Sequence, residues 1–254
     1  MKRLVTAAVL IPTVLYAVFL GPAWVLVALV ALISGLCFWE YSTVVGVDLW
    51  LRSFALVIGA SLLLVPLGHL FLPFLIFVLV LVALPMGAED MRAQFTRSTA
   101  LAMGVPYIFG AMRTALLLHD RGPWWLFFPL ALTWIGDSAA YYVGRRFGRH
   151  KLAPKISPGK SIEGSAASAL ASTLFTMTLM PHLVPEISVW SAGLIGVLGN
   201  IAGQIGDLAE SALKRVAGVK DSGRLLPGHG GMLDRVDSSL FTLPVVYALV
   251  AWVK

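Results

Sequence analysis

Charged residues and cysteine are both scarce in this chain of 254 residues. Only 13% of the residues are charged, whereas a soluble domain has about 25%. That deficit, together with 58% apolar residues and a mean hydropathy of +0.86, excludes a soluble protein and indicates a membrane protein with no large soluble domain. The single cysteine, Cys37, excludes an intrachain disulfide and lies in an apolar run, where we interpret it as a packing residue.

The sequence is rich in long apolar stretches. A membrane-spanning helix needs about 20 predominantly apolar residues, or somewhat fewer, and nine stretches qualify. We therefore expect an all-α, polytopic integral membrane protein built as one domain, 1–254, with N-terminal helices in 1–123 and the chemistry in 124–254. The predicted spans are 4–20, 23–39, 54–70, 72–87, 99–118, 124–143, 165–184, 189–212 and 239–253.

The run that follows Met1-Lys2-Arg3 has the outline of a signal peptide. However, the run is long, contains Pro12 and has no clear small-x-small cleavage site before Gly21-Pro22. We therefore expect a retained first helix.

Basic residues are distributed unevenly between the predicted loops. If the N-terminus is inside, the inside segments hold sixteen Lys and Arg residues, and the outside segments hold two, Arg121 and Lys254. Because Lys and Arg accumulate on the cytoplasmic side, we expect a cytoplasmic N-terminus and an odd number of helices. The net charge of +6 has the same explanation and requires no nucleic-acid partner.

The first polar block, 137–164, begins inside the sixth predicted span. Asp137 lies within that span, where a carboxylate is rare unless it is paired, faces water or binds a cation. The segment 157–161 (SPGKS) offers a cation and hydroxyl groups just before a predicted helix, which favours phosphate binding. It is not a P-loop, because Pro154 replaces the first glycine and Pro158 removes an N–H donor. Attraction to anionic lipid is the alternative explanation of the arginines in this block.

The second polar block, 200–237, begins within the eighth predicted span. Asp207, Glu210, Ser211 and Lys214 are spaced so that they share one helix face, which we expect to face a hydrated cavity rather than lipid. An i, i+4 ion pair between Glu210 and Lys214 is the structural alternative to a functional role. The glycines of this helix predict close packing against a neighbour; they are at positions 199, 203 and 206.

The same block ends with a glycine-rich segment, 218–231, which must be non-helical. Asp234 and Asp237 follow it at a predicted helix N-terminus, where capping is the alternative role, chiefly for Asp237. Mg²⁺ takes one or two carboxylates and completes its shell with water and substrate phosphates, so Asp207 and Asp234 are candidate metal ligands. His229 has no second His or Cys at metal-ligand spacing, which argues against zinc. These residues predict phosphoryl or nucleotidyl transfer at the membrane surface, with a metal ion.

The segment from Ser211 to Asp237 resembles the signature of the phosphatidate cytidylyltransferases, the CDP-diacylglycerol synthases. The upstream block is similar to the same family, through Asp137 and the segment 157–164 with Tyr141, Gly144 and Gly148 before it. The N-terminal half is similar to it only as a set of apolar helices. The signature residues are Ser211, Lys214, Arg215, Lys220, Asp221, Gly223, Pro227, His229, Gly230, Gly231, Asp234, Arg235 and Asp237.

This resemblance implies that CTP and phosphatidate react to give CDP-diacylglycerol and pyrophosphate, with Mg²⁺, in phospholipid biosynthesis at a bacterial inner (plasma) membrane. It also implies a two-cation centre at Asp207 and Asp234, with K⁺ as a candidate second cation. On this basis we expect catalytic roles for Asp207, Lys214, Lys220, Asp234, Arg235 and Asp237. We expect substrate binding by Ser157, Lys160, Ser211, Arg215, Asp221 and His229.

Three other functions stay open at this point. A CTP-dependent lipid kinase, or a cytidylyltransferase for another lipid phosphate, would share this scaffold and differ in its product. A transporter would also suit nine helices with buried acids, although the sequence has no repeated halves. A scaffold protein without activity is the third, against which the intact polar residues argue. The sequence sets neither the acyl-chain preference nor the oligomeric state, for which a homodimer is one candidate.

Overall fold

The computed structural model describes residues 2–225 and 230–252, and this part of the chain is almost entirely helical. A 3₁₀ turn, Leu84–Gly87, follows α4, and a π-helical turn, Pro106–Gly110, joins α5 to α6. The ten α-helices of the described residues are α1 (Lys2–Phe19), α2 (Ala23–Val44), α3 (Leu49–Leu64), α4 (Leu67–Ala83), α5 (Met91–Val105), α6 (Ala111–His119), α7 (Pro123–Phe147), α8 (Ile162–Leu183), α9 (Val189–Val216) and α10 (Leu233–Trp252).

Three helical runs in the described part of the chain are long and apolar enough to cross a membrane: Ala23–Val44, Met91–His119 and Val189–Val216. Shorter apolar helices cover Ala8–Phe19, Leu49–Leu64 and Phe71–Gly87. The prediction of a largely α-helical membrane protein is therefore confirmed. The count of nine spans and the cytoplasmic N-terminus stay predictions.

Several helix boundaries differ from the predicted ones: α2, for example, ends at Val44 rather than at 39, and α5 begins at Met91 rather than at 99. The third and fourth helices are separated at Val65-Pro66 rather than at 69–73, because a residue before proline is disfavoured in the helical conformation. Pro73, expected in that break, lies inside α4. The last helix begins at Leu233 rather than near 239, so Asp234 and Asp237 lie within its first two turns.

A β-hairpin between α7 and α8 is the one departure from an all-α fold among the described residues. Strand β1 (Lys151–Ala153) pairs antiparallel with β2 (Ser157–Ser161). The segment 157–161, expected as a turn before a helix, is therefore mostly a strand. The expected helix does follow at once, and the Ser161 hydroxyl caps it by accepting the N–H of Gly164 at 3.1 Å.

The glycines of α9 bring it into close contact with α10, as the sequence predicted. A Cβ atom at Gly203 would lie 2.7 Å from the Thr242 hydroxyl, and one at Gly206 would lie 2.7 Å from the Asp237 carbonyl oxygen. Small residues let helix backbones approach in a membrane, where packing rather than the hydrophobic effect drives association. This contact is what holds the two polar ends of α9 and α10 side by side.

A ladder of buried polar groups joins α7, α8 and α9. Asn200 Nδ2 donates to the hydroxyls of Ser168 and Ser172 at 3.0 and 2.9 Å, and Ser172 donates to the Leu132 carbonyl at 2.8 Å. Gln204 continues the ladder by donating to Asn200 Oδ1 at 2.6 Å. Because every one of these groups has a partner, the ladder is tolerated inside an apolar bundle.

Replacing Gly206 by Ala should separate α9 from α10, because the added methyl group meets backbone rather than a side chain that can rotate away. We expect the free energy of unfolding to fall by about 1–3 kcal/mol, measured by thermal unfolding in detergent. Gly35→Ala in α2 is the matched control, since a Cβ there meets nothing within 4 Å. Equal stability of the two variants would contradict the close contact.

Candidate active site

A polar cavity of about 330 Å³ lies between α7, the hairpin, α8, α9 and α10. Its wall carries three charged residues of the first polar block, Asp137, Arg145 and Lys160, together with Asp207 from the second. The two blocks, about 40 to 70 residues apart in sequence, therefore meet in one place. Further polar lining comes from Ser161, Ser165, Ser168, Gln204 and Ser238.

Lys160 and Asp207 form the central ion pair of this cavity. Lys160 Nζ lies 2.5 Å from Asp207 Oδ2, and both side chains are about 30% exposed. On the other side, the Ser211 hydroxyl lies 3.4 Å from Asp207 Oδ1. The structure therefore brings together one predicted metal ligand and two predicted substrate-binding residues, on β2 and α9.

Two more carboxylates act electrostatically on Asp207. The charges of Asp137 on α7 and Asp237 on α10 interact with the charge of Asp207 and with each other. Asp237 also accepts the N–H of Ser238 at 2.6 Å. Cations offset this negative charge, since Asp137 interacts with Lys160 and with Arg235. A site with three carboxylates near several cations can bind a divalent metal ion together with phosphate groups.

A second cluster lies one to two turns further along α9. Lys214 forms ion pairs with Glu210 and, at 2.6 Å from Oδ1, with Asp234. The pair with Glu210 confirms the predicted i, i+4 contact. The Glu210 side chain has no exposed surface, and the Lys214 side chain is 12% exposed. One ammonium group therefore links α9 to α10 in the interior.

Asp234 accepts more hydrogen bonds than any capping role requires. Besides Lys214, it accepts the N–H of Gly231 at 2.7 Å and both the N–H and the hydroxyl of Ser222 at 3.0 Å. Burial raises the pKa of Asp234, but the hydrogen bond from Lys214 and those from the two backbone groups outweigh it, so the pKa lies below its usual range. Asp234 is therefore an anion that organises the glycine-rich segment ahead of α10.

The hairpin is fastened to the start of α8 by His150 and Glu163. His150 Nδ1 lies 2.7 Å from Glu163 Oε1, and the His150 N–H is directed at the same carboxylate. Hydrogen bonds from the backbone N–H of Glu163 itself and from the His150 side chain lower the pKa of Glu163 to about 2. This contact holds the hairpin against α8, and with it Lys160 at the wall of the cavity.

Four other predicted site residues in the described part of the chain belong neither to the wall of the polar cavity nor to the ion pairs of Lys214. Ser157 is on β2, and Arg215 is exposed and donates to the Ile156 carbonyl at 3.3 Å, which ties α9 to the hairpin. Lys220 and Asp221 are exposed in the segment after α9. His229 lies outside the described residues. Roles for these five residues stay predictions.

Two residues of the site, Glu40 and Ser222, escaped prediction from the sequence, as did a contact of Tyr107 with α10. Glu40 is buried in α2 and accepts hydrogen bonds from the segment that precedes α10. The ring of Tyr107 lies edge-on to Phe241 of α10, with 5.9 Å between centroids, in the π-helical turn. The sequence contained one signal for these residues. Glu40 is a carboxylate near the end of an apolar span, where acids are rare.

Whether these residues suit a metal ion depends on the donors they present. Within 2–225 and 230–252 no three His, Cys, Asp or Glu side chains form a ready-made metal cluster, but Mg²⁺ needs only one or two carboxylates beside water and phosphate. Asp207 fits that requirement as it stands, with one lysine and one serine as its contacts. Asp234 would have to exchange a present hydrogen-bond partner, such as Lys214, for the metal.

An apolar cavity of about 420 Å³ adjoins the polar one. Its walls come from α1, α2, α6, α7 and α10, through residues such as Leu29, Ala115 and Leu130. Asp137 lines both cavities, and Arg235 lies on the wall of the apolar one. An apolar space with an arginine on its wall and a carboxylate shared with a polar space suits an amphipathic molecule with an anionic headgroup.

Fold and site together describe a helical membrane protein with a charged cavity suited to phosphate compounds. Comparison with known families agrees: the chain matches the model of the cytidylyltransferase family over residues 1–253, and it belongs to that family. The membership extends over the N-terminal half, which the sequence motifs alone did not cover.

Individual relatives point the same way. Phosphatidate cytidylyltransferases of Staphylococcus saprophyticus and Staphylococcus epidermidis are 37% and 38% identical to this chain over 159 residues, which is 63% of this chain and 61% of each relative. The chain thus spans about three fifths of the length of these relatives. An uncharacterized protein of Escherichia coli, YnbB, is 35% identical over 252 residues, which covers 91% of this chain and 81% of that protein.

Replacing Lys214 by Met should leave Glu210 and Asp234 buried without their cation. We expect the free energy of unfolding to fall by about 3 kcal/mol, measured by thermal unfolding in detergent. Adding Glu210→Gln to this variant should recover part of the loss, because one of the two uncompensated charges is removed. Lys151→Met, at an exposed position of the hairpin, is the control and should have wild-type stability; an equal loss there would contradict the role of Lys214.

Proposed function

We propose that this protein is a phosphatidate cytidylyltransferase that converts CTP and phosphatidate to CDP-diacylglycerol and pyrophosphate. The observation that carries the proposal is the meeting of a charged cavity and an apolar cavity at Asp137. A water-soluble nucleotide and a lipid phosphate need such adjoining spaces in order to react. Membership of the cytidylyltransferase family and the names of the staphylococcal relatives support it.

The reaction is a nucleotidyl transfer. An oxygen of the phosphatidate phosphate attacks the α-phosphorus of CTP, the bond from that phosphorus to the oxygen bridging to the β-phosphorus breaks, and pyrophosphate leaves with the electron pair. The second pKa of a phosphate monoester is about 6, so phosphatidate is mostly a dianion at neutral pH and needs no general base. The main task of the site is to bring two anions together.

The cations of the site perform that task. Lys160 lies on the wall of the polar cavity and Arg235 on that of the apolar cavity, so we assign the nucleotide phosphates to Lys160 and the phosphatidate phosphate to Arg235. Lys214 joins them if it leaves Asp234 when substrate binds. Positioning and charge neutralisation are the main contributions of a protein to phosphoryl-type transfer.

Asp207 and Asp234 would hold Mg²⁺, with Asp237 in support and a second cation such as K⁺ beside it. When bound, Mg²⁺ polarises the phosphoryl oxygens and neutralises charge on the leaving pyrophosphate. Asp207 contributes the oxygen nearest to Lys160, and Ser211 orients the Asp207 carboxylate from the other side.

We further propose that the site faces the cytoplasm at the bacterial inner membrane. The excess of Lys and Arg in the loops that flank the polar blocks supports this orientation. The acyl chains of phosphatidate would enter the apolar cavity sideways from the bilayer, because leaving the hydrocarbon would expose them to water.

Asp207→Asn is the direct test of the site. With α-labelled CTP, phosphatidate and Mg²⁺, wild-type protein should place label in the lipid fraction and release pyrophosphate, and EDTA should stop both. The variant should lose at least about 100-fold in kcat, because a metal ligand contributes several kcal/mol to the transition state. Asp48→Asn, an exposed carboxylate outside the site, is the control.

Three outcomes would contradict the proposal or a part of it. Unchanged kcat in Asp207→Asn would remove the metal role of that residue. Wild-type protein that transfers label from γ-labelled but not α-labelled CTP would be a lipid kinase, and protein that transfers neither would favour transport.

Filling the apolar cavity tests the lipid site separately. Leu29→Trp places a larger side chain in the cavity, so the KM for phosphatidate should rise about 5-fold or more, a change of about 1 kcal/mol. The KM for CTP should not change, since the polar cavity is untouched. Leu72→Trp, at an exposed position of α4, is the matched control; a rise in both KM values, or in the control, would argue against this cavity as the acyl-chain site.

A further inference from the structure

Glu40 is a buried carboxylate that comes from the opposite half of the chain to the two polar blocks. It is 7% exposed, and its oxygens accept the N–H of Met232 at 3.0 Å and the N–H of Leu233 at 2.8 Å. The Ser222 hydroxyl lies 3.0 Å from Glu40 Oε2. No cation of the described residues is within ion-pair distance of it. Its charge is therefore balanced by hydrogen bonds and by the N-terminus of α10.

These contacts make Glu40 the cap of α10, supplied from α2. The first N–H groups of a helix have no partner within it, and here a side chain about 190 residues earlier in sequence accepts the N–H of Leu233, the first residue of α10, and that of Met232 directly before it. Such a cap fixes where α10 begins and how its first turn is oriented. Asp234, Arg235 and Asp237 all lie in the first two turns, so their placement depends on it.

Ser222 connects Glu40 to Asp234. The hydroxyl of Ser222 lies 3.0 Å from Glu40 Oε2 and 3.0 Å from Asp234 Oδ2. A hydroxyl has one proton and donates to one carboxylate at a time. Because the N–H of Ser222 donates to Asp234 Oδ2 at 3.0 Å, the hydroxyl proton is available to Glu40, and Ser222 can hold both carboxylates. Lys214 occupies the other oxygen of Asp234, so a chain of contacts runs from α2 to α9.

The surrounding backbone is shaped to receive this carboxylate. A Cβ atom at Gly223 would lie 2.5 Å from Glu40 Oε1, and one at Gly231 would lie 2.6 Å from Glu40 Cδ. Both glycines belong to the signature segment. Their lack of a side chain is what allows the backbone at these two positions to lie against Glu40, so the fit involves close packing as well as hydrogen bonds.

We infer that Glu40 is a positioning residue for the transfer reaction, acting through Ser222 and the first turn of α10 on Asp234 and Lys214. The inference rests on the proposed function for its catalytic part. Without this carboxylate, we expect the cavity to persist and Asp234 to lose its fixed orientation. Residues that orient a metal or phosphate ligand in this way typically change activity by about 10- to 100-fold when replaced.

Glu40→Gln in the full-length protein is the test, with Asp48→Asn as the matched control on the loop after α2. The amide keeps the size of the side chain but presents an NH₂ group to N–H donors. We expect kcat for labelled CTP incorporation, per folded protein, to fall about 10- to 100-fold while the KM for phosphatidate stays within about 2-fold. Glu40→Asp should restore part of kcat, and Ser222→Ala should add little to the loss in Glu40→Gln, because both act on one chain of contacts.

A readout that does not depend on activity accompanies the kinetics. Trypsin cleavage after Lys220 and Arg224, both exposed, should be about 10-fold faster in Glu40→Gln than in wild-type or control protein. Unchanged kcat and unchanged cleavage would overturn the inference. A fall in kcat that is fully explained by the fraction of unfolded protein would also overturn it. If Glu40→Gln does not fold, Ser222→Ala alone decides, and wild-type kcat there would overturn the link. Wild-type protein without transfer activity but with faster cleavage in Glu40→Gln would refute the proposed function and leave the positioning role standing.

Discussion

One ammonium group, that of Lys214, sits between two carboxylates in the interior of an apolar helical bundle, and the arrangement of the site depends on it. Isolated charges at such depth are expensive, so each must be paired or hydrogen-bonded. The same cation pairs with Glu210 of α9 and with Asp234 of α10, and it therefore holds the two helices together. The close glycine contact between these helices makes that geometry attainable.

The charges of this protein thus have structural as well as chemical roles. Asp234 is at once a predicted metal ligand and the acceptor that organises the segment before α10. Lys160 is a predicted phosphate ligand, and it is paired with Asp207 in the cavity. Under the proposed function, incoming phosphates and a metal ion would replace these internal partners, and the charges that offset them would already be in place.

The site residues that the sequence predicted best are charged residues, whose burial in an apolar chain costs free energy unless they are paired or functional. Acids and lysines in an apolar chain identified Asp137, Lys160, Asp207 and Lys214, which the structure brings together in two adjacent clusters, and the spacing on α9 predicted the pair of Glu210 with Lys214. Prediction was weakest at boundaries, where the hairpin replaced an expected turn and α10 began earlier than hydropathy indicated. A short strand pair has too few residues to produce a periodic pattern. The metal roles stay predictions, because a sequence names possible ligands but not their partners.

By itself, the amino-acid sequence determined the membrane class, the helical content and the inventory of reactive groups, since these follow from hydropathy and from the cost of charge in an apolar chain. The tertiary structure alone decided which of those groups meet. Glu40 belongs to an apolar helix far from both polar blocks, and only packing of α2 against the start of α10 gives it donors. The joining of a polar and an apolar cavity at Asp137 was decided in the same way. Contacts between distant segments depend on how helices pack, and that information is spread over the whole chain.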